Sequence, residues 1–343
     1  MKSNLSIHSR KDDHLIINSQ KDVISSNTTG LEKFRLIHNA LPEINLLDVD
    51  PSVKIFGKKL SLPLMISSMT GGTKKASEIN QILAHSAQKY DIAMGVGSQR
   101  IGIENKRSME TFKVRKFAPD ILLFSNIGAI QLNYGFTIDD CKKTVDAINS
   151  DALILHLNPL QEALMGNGNT NFSGILKKIE MVCKNLEVPV VVKEVGWGIS
   201  SQVAKSLIDA GVQAIDVAGA GGTSWSEVEK YRITNPSGKR IAEGYRDWGI
   251  STSEAIINIR KEQRDTLIFA SGGLQDGVDV IKSIALGANL GGVARKFLIA
   301  AMNSQEELDE TIEEFSKQIQ ITMFAIGVKE IDAISTANIR RIE

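Results

Sequence analysis

The sequence is poor in several features on which common classes of protein depend. Its two cysteines, Cys141 and Cys183, are too few for a disulfide framework or a zinc cluster, and both lie in apolar helical stripes where a thiol behaves as a small hydrophobic side chain. Its 40 basic and 40 acidic side chains cancel, which excludes a nucleic-acid binder that works through bulk positive charge. The 7 prolines and 23% charged residues argue against extensive disorder.

Long apolar segments are also missing. No run approaches the roughly 20 apolar residues that a membrane span requires. The opening residues, MKSNLSIHSRKDDH, lack the apolar centre of a signal peptide. We therefore expect a cytoplasmic protein without a membrane or nucleic-acid partner, and its 343 residues are enough to bury a sizeable core.

Short apolar runs recur along the chain, with helical patterns between them. The runs are continuous rather than alternating, as is typical of strands covered on both faces in a parallel sheet. The alternation of strands and helices predicts an α/β fold, a (β/α)₈ TIM barrel, and a doubly wound sheet with fewer strands is the alternative. The eight predicted strands are 62–67, 92–97, 121–125, 152–157, 188–193, 214–218, 267–271 and 289–294.

One of the intervening patterns shows how the predicted helices end. Val203, Ala204, Leu207 and Ile208 mark one helical face, and Gly211 follows them. Glycine readily adopts the left-handed conformation that closes many helices. The pattern predicts an amphipathic helix on the outside of the barrel that ends at this glycine.

Three segments lie outside the eight predicted strands and the helices between them, and we expect them to form additions to the barrel. Residues 1–60 precede the first strand and form an N-terminal extension, which we expect to contribute to the substrate site, while residues 61–343 form the barrel. Residues 219–249, after the sixth strand, make a long connection of the kind that serves as a lid or binding loop. Residues 166–173 form a smaller polar loop after the fourth strand.

Small, polar or charged residues follow nearly every apolar run. Barrel enzymes place their chemistry at the carboxyl ends of the strands, so these residues predict one shared site. His156 alone would fit a core histidine, but Asn158, Gln161 and Glu162 within the same seven residues favour a ligand site. The residues at the strand ends are Ser68 to Gly72, Ser98 to Arg100, Asn126, His156 to Asn158, Lys193 and Glu194, Gly219 to Thr223, Ser271 to Gly273, and Ala294 and Arg295.

The last two strand ends favour a phosphate-binding site. Ser271, Gly272 and Gly273 precede a helical pattern and offer backbone N–H groups near a helix N-terminus. Arg295 adds a charge-assisted donor. The alternative explanation is that these are tight turns that need glycine. The second glycine pair, Gly291 and Gly292, together with Arg295 favours the phosphate-binding site.

Several charged residues each have two interpretations. Lys193 closes an apolar run, where its ammonium either meets an anion or reaches solvent along the strand end. Glu162 is either a magnesium ligand that shares the ion with water and substrate phosphates, or a solvated loop carboxylate. Arg10, Lys11 and His14 form either a solvated basic tail or an arm that folds over an anionic substrate.

Taken together, these motifs resemble the type 2 isopentenyl-diphosphate isomerases, which are FMN-dependent barrels. The resemblance covers nearly the whole chain, and the pair HLNPLQE with VKEVGWG carries most of its specificity, whereas the glycine-rich seventh strand end is shared by other FMN barrels. The matching segments are Arg10-Lys11, SMTGG (68–72), GVGSQR (95–100), HLNPLQE (156–162), VVVKEVGWG (190–198), GGTSW (221–225), WGIST (248–252) and ASGGLQD (270–276).

The resemblance implies an activity and a set of cofactors. The protein would interconvert isopentenyl and dimethylallyl diphosphate in isoprenoid biosynthesis by a 1,3-allylic proton shift, with reduced FMN as the acid–base group, Mg²⁺ at Glu162 and NADPH as reductant. Lys193 would stabilise negative charge on the reduced ring, and Lys193, Gln161 and His156 would be catalytic. A homo-oligomer, either a tetramer or an octamer, is expected.

The resemblance also implies which residues contact each ligand. Ala218 stands where many members have Ser or Gly, so a backbone contact is expected there, and Arg295 stands where several have Gly, which leaves its side-chain role open. The implied FMN contacts are Ser68, Met69, Thr70, Ser98, Asn126, Lys193, Ala218, Thr223, Gly272, Gly273, Leu274, Ala294 and Arg295. The implied substrate contacts are Arg10, Lys11, Ser98, Gln99, Arg100, His156, Asn158 and Gln161.

Two alternatives remain at this point. An FMN oxidoreductase of the 2-hydroxy-acid class would share the seventh-strand phosphate loop, but it uses a histidine base late in the barrel, and no histidine here follows His156. A non-catalytic flavin- or phosphate-binding barrel would have lost its polar site residues, whereas Gln161, Glu162 and Lys193 are present.

Overall fold

The structure, a computed structural model, describes the backbone of residues 2–342 and the side chains of residues 11–342. Within that range the strands are β1 (Phe34–Leu36), β2 (Val53–Ile55), β3 (Lys58–Leu60), β4 (Leu64–Ile66), β5 (Ala93–Gly95), β6 (Leu123–Gly128), β7 (Ala152–His156), β8 (Val190–Lys193), β9 (Ala214–Asp216), β10 (Leu267–Ser271), β11 (Leu290–Val293) and β12 (Ile339–Arg341).

The helices in the same part of the chain are α1 (Lys2–Gln20), α2 (Lys74–Tyr90), α3 (Arg100–Glu104), α4 (Lys106–Met109), α5 (Ile138–Asp146), α6 (Pro159–Leu164), α7 (Ile175–Asn185), α8 (Ser201–Asp209), α9 (Trp225–Arg232), α10 (Pro236–Glu243), α11 (Thr252–Glu262), α12 (Gly277–Ala285), α13 (Arg295–Asn303) and α14 (Gln305–Ala325). Short 3₁₀ helices cover Leu31–Lys33, Leu46–Asp48, Glu110–Phe112, Ala129–Asn133, Ile331–Ala333 and Thr336–Asn338.

Strands β4 to β11 form a closed parallel barrel in sequence order. The barrel closes where β11 pairs with β4, with Gly291 opposite Leu64. Each of the eight apolar runs overlaps one barrel strand, so the (β/α)₈ prediction is confirmed and the doubly wound alternative is wrong. The boundaries differ by a few residues; β6, for example, extends to Gly128, three residues beyond its predicted end.

The inside of the barrel is filled by apolar side chains. Met65, Phe124, Val191 and Phe269 belong to one buried cluster, which is separate from the larger cluster that includes the helices. The antiparallel hairpin β2–β3 contributes to this inner cluster, and the Phe56 ring contacts the rings of Phe124 and Phe269 edge to face, at 6.4 and 6.3 Å between centroids. The barrel is therefore a packed core, and any ligand must bind at an end of it.

We predict that Phe269→Ala lowers the free energy of unfolding by about 3–5 kcal/mol, because it leaves a cavity beside two other aromatic rings. Phe269 is completely buried, and its ring lies 6.0 Å from that of Phe124. Denaturant-induced unfolding is the measurement. Leu41→Ala is the control, since Leu41 is 74% exposed and its loss should cost less than about 0.5 kcal/mol. Equal losses in the two variants would contradict this description of the core.

The helix predicted around Leu207 forms, but one of its marked residues is not buried. Helix α8 precedes Gly211, whose φ of 94° is that of a left-handed cap. Ala204 and Leu207 are buried, whereas Val203 is 44% exposed. Residue 203 lies at the edge of a buried stripe centred between Ala204 and Leu207, so the prediction that it belongs to the buried face is wrong.

The two cysteines are free thiols within helices, as predicted. Cys141 is buried and Cys183 is half-buried. Burial raises the pKa of Cys141 to about 12 and that of Cys183 to about 11. Both thiols are therefore protonated near neutral pH and act as apolar side chains.

The long connection after β9 is helical rather than an open loop. Residues 219–249 contain α9 and α10, which contact each other, and α9 also contacts α1 and α6. The prediction that this segment is a loop is therefore wrong, and buried Val228 and Ala242 anchor its two helices. Within the described residues, no helix is long and apolar enough to cross a membrane.

Candidate active site

A cavity of about 580 Å³ lies at the carboxyl ends of the barrel strands. Because alternate residues of a strand face the same side, the residues two positions beyond the inner apolar layer also point into the barrel. Those positions are mostly polar, and they form the floor of the cavity. They include Ser67, Asn126, His156, Lys193, Ser271 and Gly292, all of which line it.

The structure brings nearly all of the predicted site residues to this cavity. It places Gln99 elsewhere, and Arg10 lies outside the residues whose side chains are described. The predicted residues that line the cavity are Lys11, Ser68, Met69, Thr70, Ser98, Arg100, Asn126, His156, Asn158, Gln161, Glu162, Lys193, Ala218, Thr223, Gly272, Gly273, Leu274, Ala294 and Arg295.

Gln99 supports the site from behind instead of facing it. Its side chain is fully buried, and its Nε2 donates a hydrogen bond to the carbonyl of Thr144 at 3.1 Å. Its Oε1 accepts the backbone N–H of Asn126 at 3.0 Å. Both ends of the amide are therefore engaged by the protein, and Gln99 is not among the residues that line the cavity.

Asn126 in turn fixes the orientation of His156. The Nδ1 atom of His156 lies 2.8 Å from Oδ1 of Asn126, which can only accept, so Nδ1 carries the proton of that hydrogen bond. Burial, together with the charges of Lys193 and Lys11, lowers the pKa of His156 to about 3. The ring is thus neutral near pH 7 and serves as a hydrogen-bonding group rather than as a strong acid.

Lys193 is held at the floor by the segment that follows it. Its Nζ donates to the carbonyl of Glu194 at 2.7 Å, and its side chain is buried. The Glu194 carboxylate accepts backbone N–H groups from Val195, Gly196 and Trp197 at 2.6–2.7 Å, which fixes this turn. The ammonium group therefore has a defined position among the residues that line the cavity.

A chain of hydrogen bonds crosses one wall of the cavity. Gln161 Nε2 donates to Glu229 Oε1 at 3.1 Å, and Glu229 Oε1 lies 3.0 Å from His14 Nε2. Asn158 Nδ2 donates to Gln161 Oε1 and to Glu162 Oε1, both at 3.1 Å. The two amides and the two carboxylates are therefore oriented as one network.

Sequence reasoning missed Glu229 as a member of this site. The glycines and charged residues of segment 219–249 are typical of a loop and obscure the helical spacing of α9. In α9, Trp225 and Glu229 are four residues apart and so share a face: Trp225 lines the cavity, and its ring lies 5.0 Å from that of His14. The signal was present as an i, i+4 pair inside an unrecognised helix.

The N-terminal helix α1 forms part of the cavity wall. Lys11 Nζ donates to the carbonyls of Gly71 and Ser98, each at 2.8 Å. Near the C-terminal end of α1, Arg295 Nε donates a hydrogen bond to the carbonyl of Asn18 at 2.8 Å. The segment that carries Lys11 and His14 is thus an arm packed over the site, and the solvated-tail interpretation is wrong for these two residues.

The glycine-rich turn after β10 approaches a second turn very closely. Gly272 has φ 106°, and a Cβ placed on it would lie 2.1 Å from the carbonyl oxygen of Gly219. Gly273 has φ 88°, and a Cβ there would lie 2.5 Å from the carbonyl oxygen of Gly221. These positions need glycine for backbone conformation and for close approach, and the resulting wall presents main chain to the cavity.

We predict a pH-dependent stability contribution from Glu229. Burial alone would raise the pKa of Glu229, but the hydrogen bond and charge of His14, the hydrogen bond from Gln161 and the charge of Arg232 outweigh burial and lower the pKa to about 2. A carboxyl whose pKa is lowered by folding stabilises the folded state above its unfolded pKa, 4.5, and loses that contribution as pH falls toward 2.

The matched variant is Glu229→Gln, which resembles the protonated side chain. Wild type should exceed Glu229→Gln in free energy of unfolding by about 3 kcal/mol above pH 5, and the difference should shrink as pH falls from 5 to 3. Denaturant unfolding of both proteins across this range is the measurement. A difference that stays constant with pH would show that Glu229 is not ionised in the fold.

Comparisons with known proteins agree with this fold and site. Residues 17–111 and 152–341 match the FMN-dependent dehydrogenase family. Among solved structures, a flavocytochrome b2 variant with benzoylformate superposes with a TM-score of 0.72 at 17% identity and covers 96% of this chain and 82% of its own. An active chimera of (S)-mandelate dehydrogenase gives 0.70 at 15% identity, covering 97% and 99%. At such identities these likenesses show the barrel fold alone.

Fold and site therefore define a flavin-binding barrel of the FMN-dependent dehydrogenase class. The chain is 48% identical over 337 residues to the isopentenyl-diphosphate delta-isomerase of Nostoc sp. strain PCC 7120, covering 98% of this chain and 96% of that protein. It is 49% identical over 331 residues to the enzyme of the same name from Rickettsia africae, covering 96% and 97%. The chain belongs to the isopentenyl-diphosphate delta-isomerase family.

The residues of the cavity fit the FMN that this class uses. Gly272 and Gly273 line the cavity with main chain alone, and a Cβ at either position would clash with the backbone of the neighbouring turn, at Gly219 or Gly221. Ser67 Oγ and Ser68 Oγ are buried without a hydrogen-bond partner within the described chain, as expected for groups that contact a ligand. Ala218, with φ 37°, adopts a conformation that favours glycine and lines the cavity, and its predicted backbone contact with FMN stays a prediction.

Proposed function

We propose that this protein interconverts isopentenyl diphosphate and dimethylallyl diphosphate by a 1,3-allylic proton shift, in a cavity that also holds reduced FMN. The observation that carries the proposal is the joining of two sites in one cavity. Gly272 and Gly273, to which we assign the flavin phosphate, line the same cavity as Lys11, Arg100, His156 and Glu162, to which we assign the substrate and its metal ion. The 2-hydroxy-acid oxidoreductase alternative is supported by the barrel fold and by the FMN-dependent dehydrogenase family match, whereas the relatives at 48–49% identity named above are isomerases.

The wall residues explain why a cofactor is needed. Moving a double bond in an unactivated alkene requires a proton donor and a proton acceptor of suitable pKa. The amides of Asn126, Asn158 and Gln161 do not titrate, and His156 is neutral with a pKa of about 3. Reduced FMN, when bound, supplies the acid–base group that these side chains lack.

Lys193 contributes electrostatics to that chemistry. Its buried ammonium stabilises negative charge on a neighbouring ring, because the low-polarity surroundings strengthen the interaction. Since its Nζ already donates to the Glu194 carbonyl, the group is pre-positioned and needs little reorganisation. We assign to it the tuning of the cofactor rather than proton transfer to the substrate.

Gln161 orients the apolar end of the substrate. Glu229, ionised at neutral pH, accepts a hydrogen bond from Gln161 Nε2. Because a carboxylate can only accept, this bond fixes the orientation of the Gln161 amide. The Oε1 end then faces Asn158 Nδ2. A fixed amide beside an alkene of five carbons holds the reacting carbons in one orientation, which is worth more to the rate than a mobile contact.

The diphosphate would be bound by basic side chains and a metal ion. Lys11 and Arg100 supply positive charge, and the Glu162 carboxylate supplies one anionic ligand for Mg²⁺. Among the described residues, no group of three or more His, Cys, Asp or Glu is arranged to hold a metal by itself. Mg²⁺ fits this donor set because it commonly combines one or two carboxylates with water and substrate phosphates.

Three further elements complete the proposal. NADPH is the reductant that keeps FMN reduced. The protein acts in the cytoplasm, in isoprenoid biosynthesis. It assembles as a homo-oligomer, a tetramer or an octamer, which its zero formal net charge does not oppose. Light scattering of the purified protein measures the last point directly.

The test combines cofactor and reaction in one sample. Purified protein is examined by absorption, reduced with NADPH, and incubated with isopentenyl diphosphate and Mg²⁺ in D₂O while proton NMR follows the substrate. We expect flavin bands that bleach on reduction, followed by formation of dimethylallyl diphosphate with deuterium incorporation. A protein that binds no added FMN, or that exchanges no substrate proton when reduced, would overturn the proposal.

A further inference from the structure

A buried carboxylate next to Lys193, behind the residues that line the cavity, has no role in the function proposed above. Asp216, the last residue of β9, is completely buried. Its Oδ1 accepts a hydrogen bond from Ser271 Oγ at 2.6 Å and a longer one from the backbone N–H of Ala218 at 3.3 Å. Its Oδ2 is buried without a hydrogen-bond partner among the described residues.

A carboxylate in that position is costly unless a positive charge compensates it. Burial raises the pKa of Asp216, and the charge of Lys193 opposes that rise. Lys193 and Asp216 are paired residues on the neighbouring parallel strands β8 and β9, so their side chains leave the barrel wall side by side and on the same face. The two groups are thus buried neighbours that interact through their charges, while the hydrogen bond of the ammonium goes to the Glu194 carbonyl.

The other carboxylate close to Lys193 is satisfied differently. Glu194 Oε2 accepts three backbone N–H groups of its own turn, at 2.6, 2.7 and 2.6 Å. Those bonds stabilise the turn, whereas Asp216 Oδ2 accepts no hydrogen bond from the described residues. Both carboxylates interact electrostatically with Lys193, but Asp216 is the one whose side chain lies beside it on the neighbouring strand and keeps an oxygen without a hydrogen bond among the described residues.

We propose that Asp216 is a positioning residue that acts through Lys193: by offsetting the charge of the ammonium, it limits how strongly the site stabilises a reduced, anionic flavin ring. This inference rests on the FMN site proposed above and assigns the electrostatic balance of that site to a pair of residues. Lys193 alone would favour the anionic reduced ring more strongly, and the pair moderates this effect.

Ser271 links the pair to the phosphate seat. Its hydroxyl donates to Asp216, and the next two residues are Gly272 and Gly273 of the glycine-rich turn. The carboxylate is thus tied to β8 through charge and to β10 through a hydrogen bond. The Asp216 side chain thereby links Lys193, where we expect the flavin ring, to the turn at Gly272 and Gly273, where we expect the flavin phosphate.

The decisive variant is Asp216→Asn, which keeps the shape of the side chain and removes its charge. With FMN bound, its midpoint potential, measured against a reference dye, should shift to a more positive value than that of wild type. Asp209→Asn is the matched control, because Asp209 is an exposed acid of α8 paired with Lys205, and its potential should equal that of wild type.

A double-mutant cycle tests whether Asp216 acts through Lys193. In a Lys193→Met background the buried carboxyl has lost its compensating charge and should be protonated, so adding Asp216→Asn should change the potential little. A shift in the native background that disappears with Lys193→Met supports the proposal. No shift in flavin-loaded Asp216→Asn, or equal shifts in both backgrounds, would overturn it.

A conservative variant, Asp216→Glu, tests the proposal in the case that Asp216→Asn does not retain FMN. If Asp216→Asn does not retain FMN, Asp216→Glu, which keeps the charge, should retain it with a potential close to that of wild type. Loss of FMN from both variants would mean that shape rather than charge matters, and the proposal would fail. Wild-type protein that binds no FMN would refute the proposed function itself, whereas a normal wild type with an unresponsive Asp216→Asn would refute this inference alone.

Discussion

Replacing Gly272 by alanine is expected to abolish FMN binding. A Cβ at this position would lie 2.1 Å from the carbonyl oxygen and 2.5 Å from the backbone nitrogen of Gly219, and the φ of 106° is strained for any other residue. Main chain cannot yield as a flexible side chain can, so the two turns must separate. Their separation destroys the phosphate seat, and affinity for FMN should fall at least about 10²-fold, or by about 3 kcal/mol.

Fluorescence titration of apoprotein with FMN measures this loss. Gly244→Ala is the matched control, because Gly244 ends α10 with a negative φ, and a Cβ there would meet its nearest atoms at 3.4 and 3.8 Å. The control should bind FMN like wild type. If Gly272→Ala also bound FMN with wild-type affinity, the phosphate would have to lie elsewhere in the cavity.

Removing the charge of Glu162 is expected to affect the substrate rather than the flavin. Glu162→Gln keeps an acceptor for Asn158 Nδ2, which bonds to Oε1 at 3.1 Å in the wild type, but it removes the anionic ligand proposed for Mg²⁺. Without the metal the diphosphate is misplaced, and misplacement by about 1 Å costs on the order of 10²-fold in rate, so kcat/KM should fall by at least that factor.

The measurement is kcat/KM as a function of Mg²⁺ concentration. Wild type should show saturable dependence, Glu162→Gln a low and nearly flat response, and FMN affinity should be the same in both. Glu187→Gln, at an exposed position after α7, is the charge-matched control and should behave like wild type. A Glu162→Gln enzyme with the wild-type Mg²⁺ dependence would remove this residue from the metal site.

The fold could be predicted from the sequence because parallel barrels impose a strong pattern. Each of the eight strands is buried on both faces and therefore appears as an apolar run, and the glycine at position 211 marks a helix end directly. Val203 shows the limit of that signal. An apolar residue at the edge of a helical stripe satisfies the pattern whether it is buried or, as here, 44% exposed.

The candidate site was predictable only in part. Residues that directly follow apolar runs, such as Asn126 and Lys193, reach the cavity because strand ends converge there. Gln99 also follows a run, but its side chain turns behind the wall, since adjacent residues point in different directions. Asp216 sits inside an apolar run, and Glu229 depends on contact between distant helices, so neither could be recognised from position alone.

The most direct test of the central claim is a crystal structure of the protein with FMN and isopentenyl diphosphate bound. The account predicts the flavin phosphate at Gly272 and Gly273, the ring beside Lys193, and the diphosphate near Lys11, Arg100 and Glu162, all within the one cavity at the carboxyl ends of β4 to β11. A structure in which the flavin and the diphosphate occupy separate regions of the protein would contradict it.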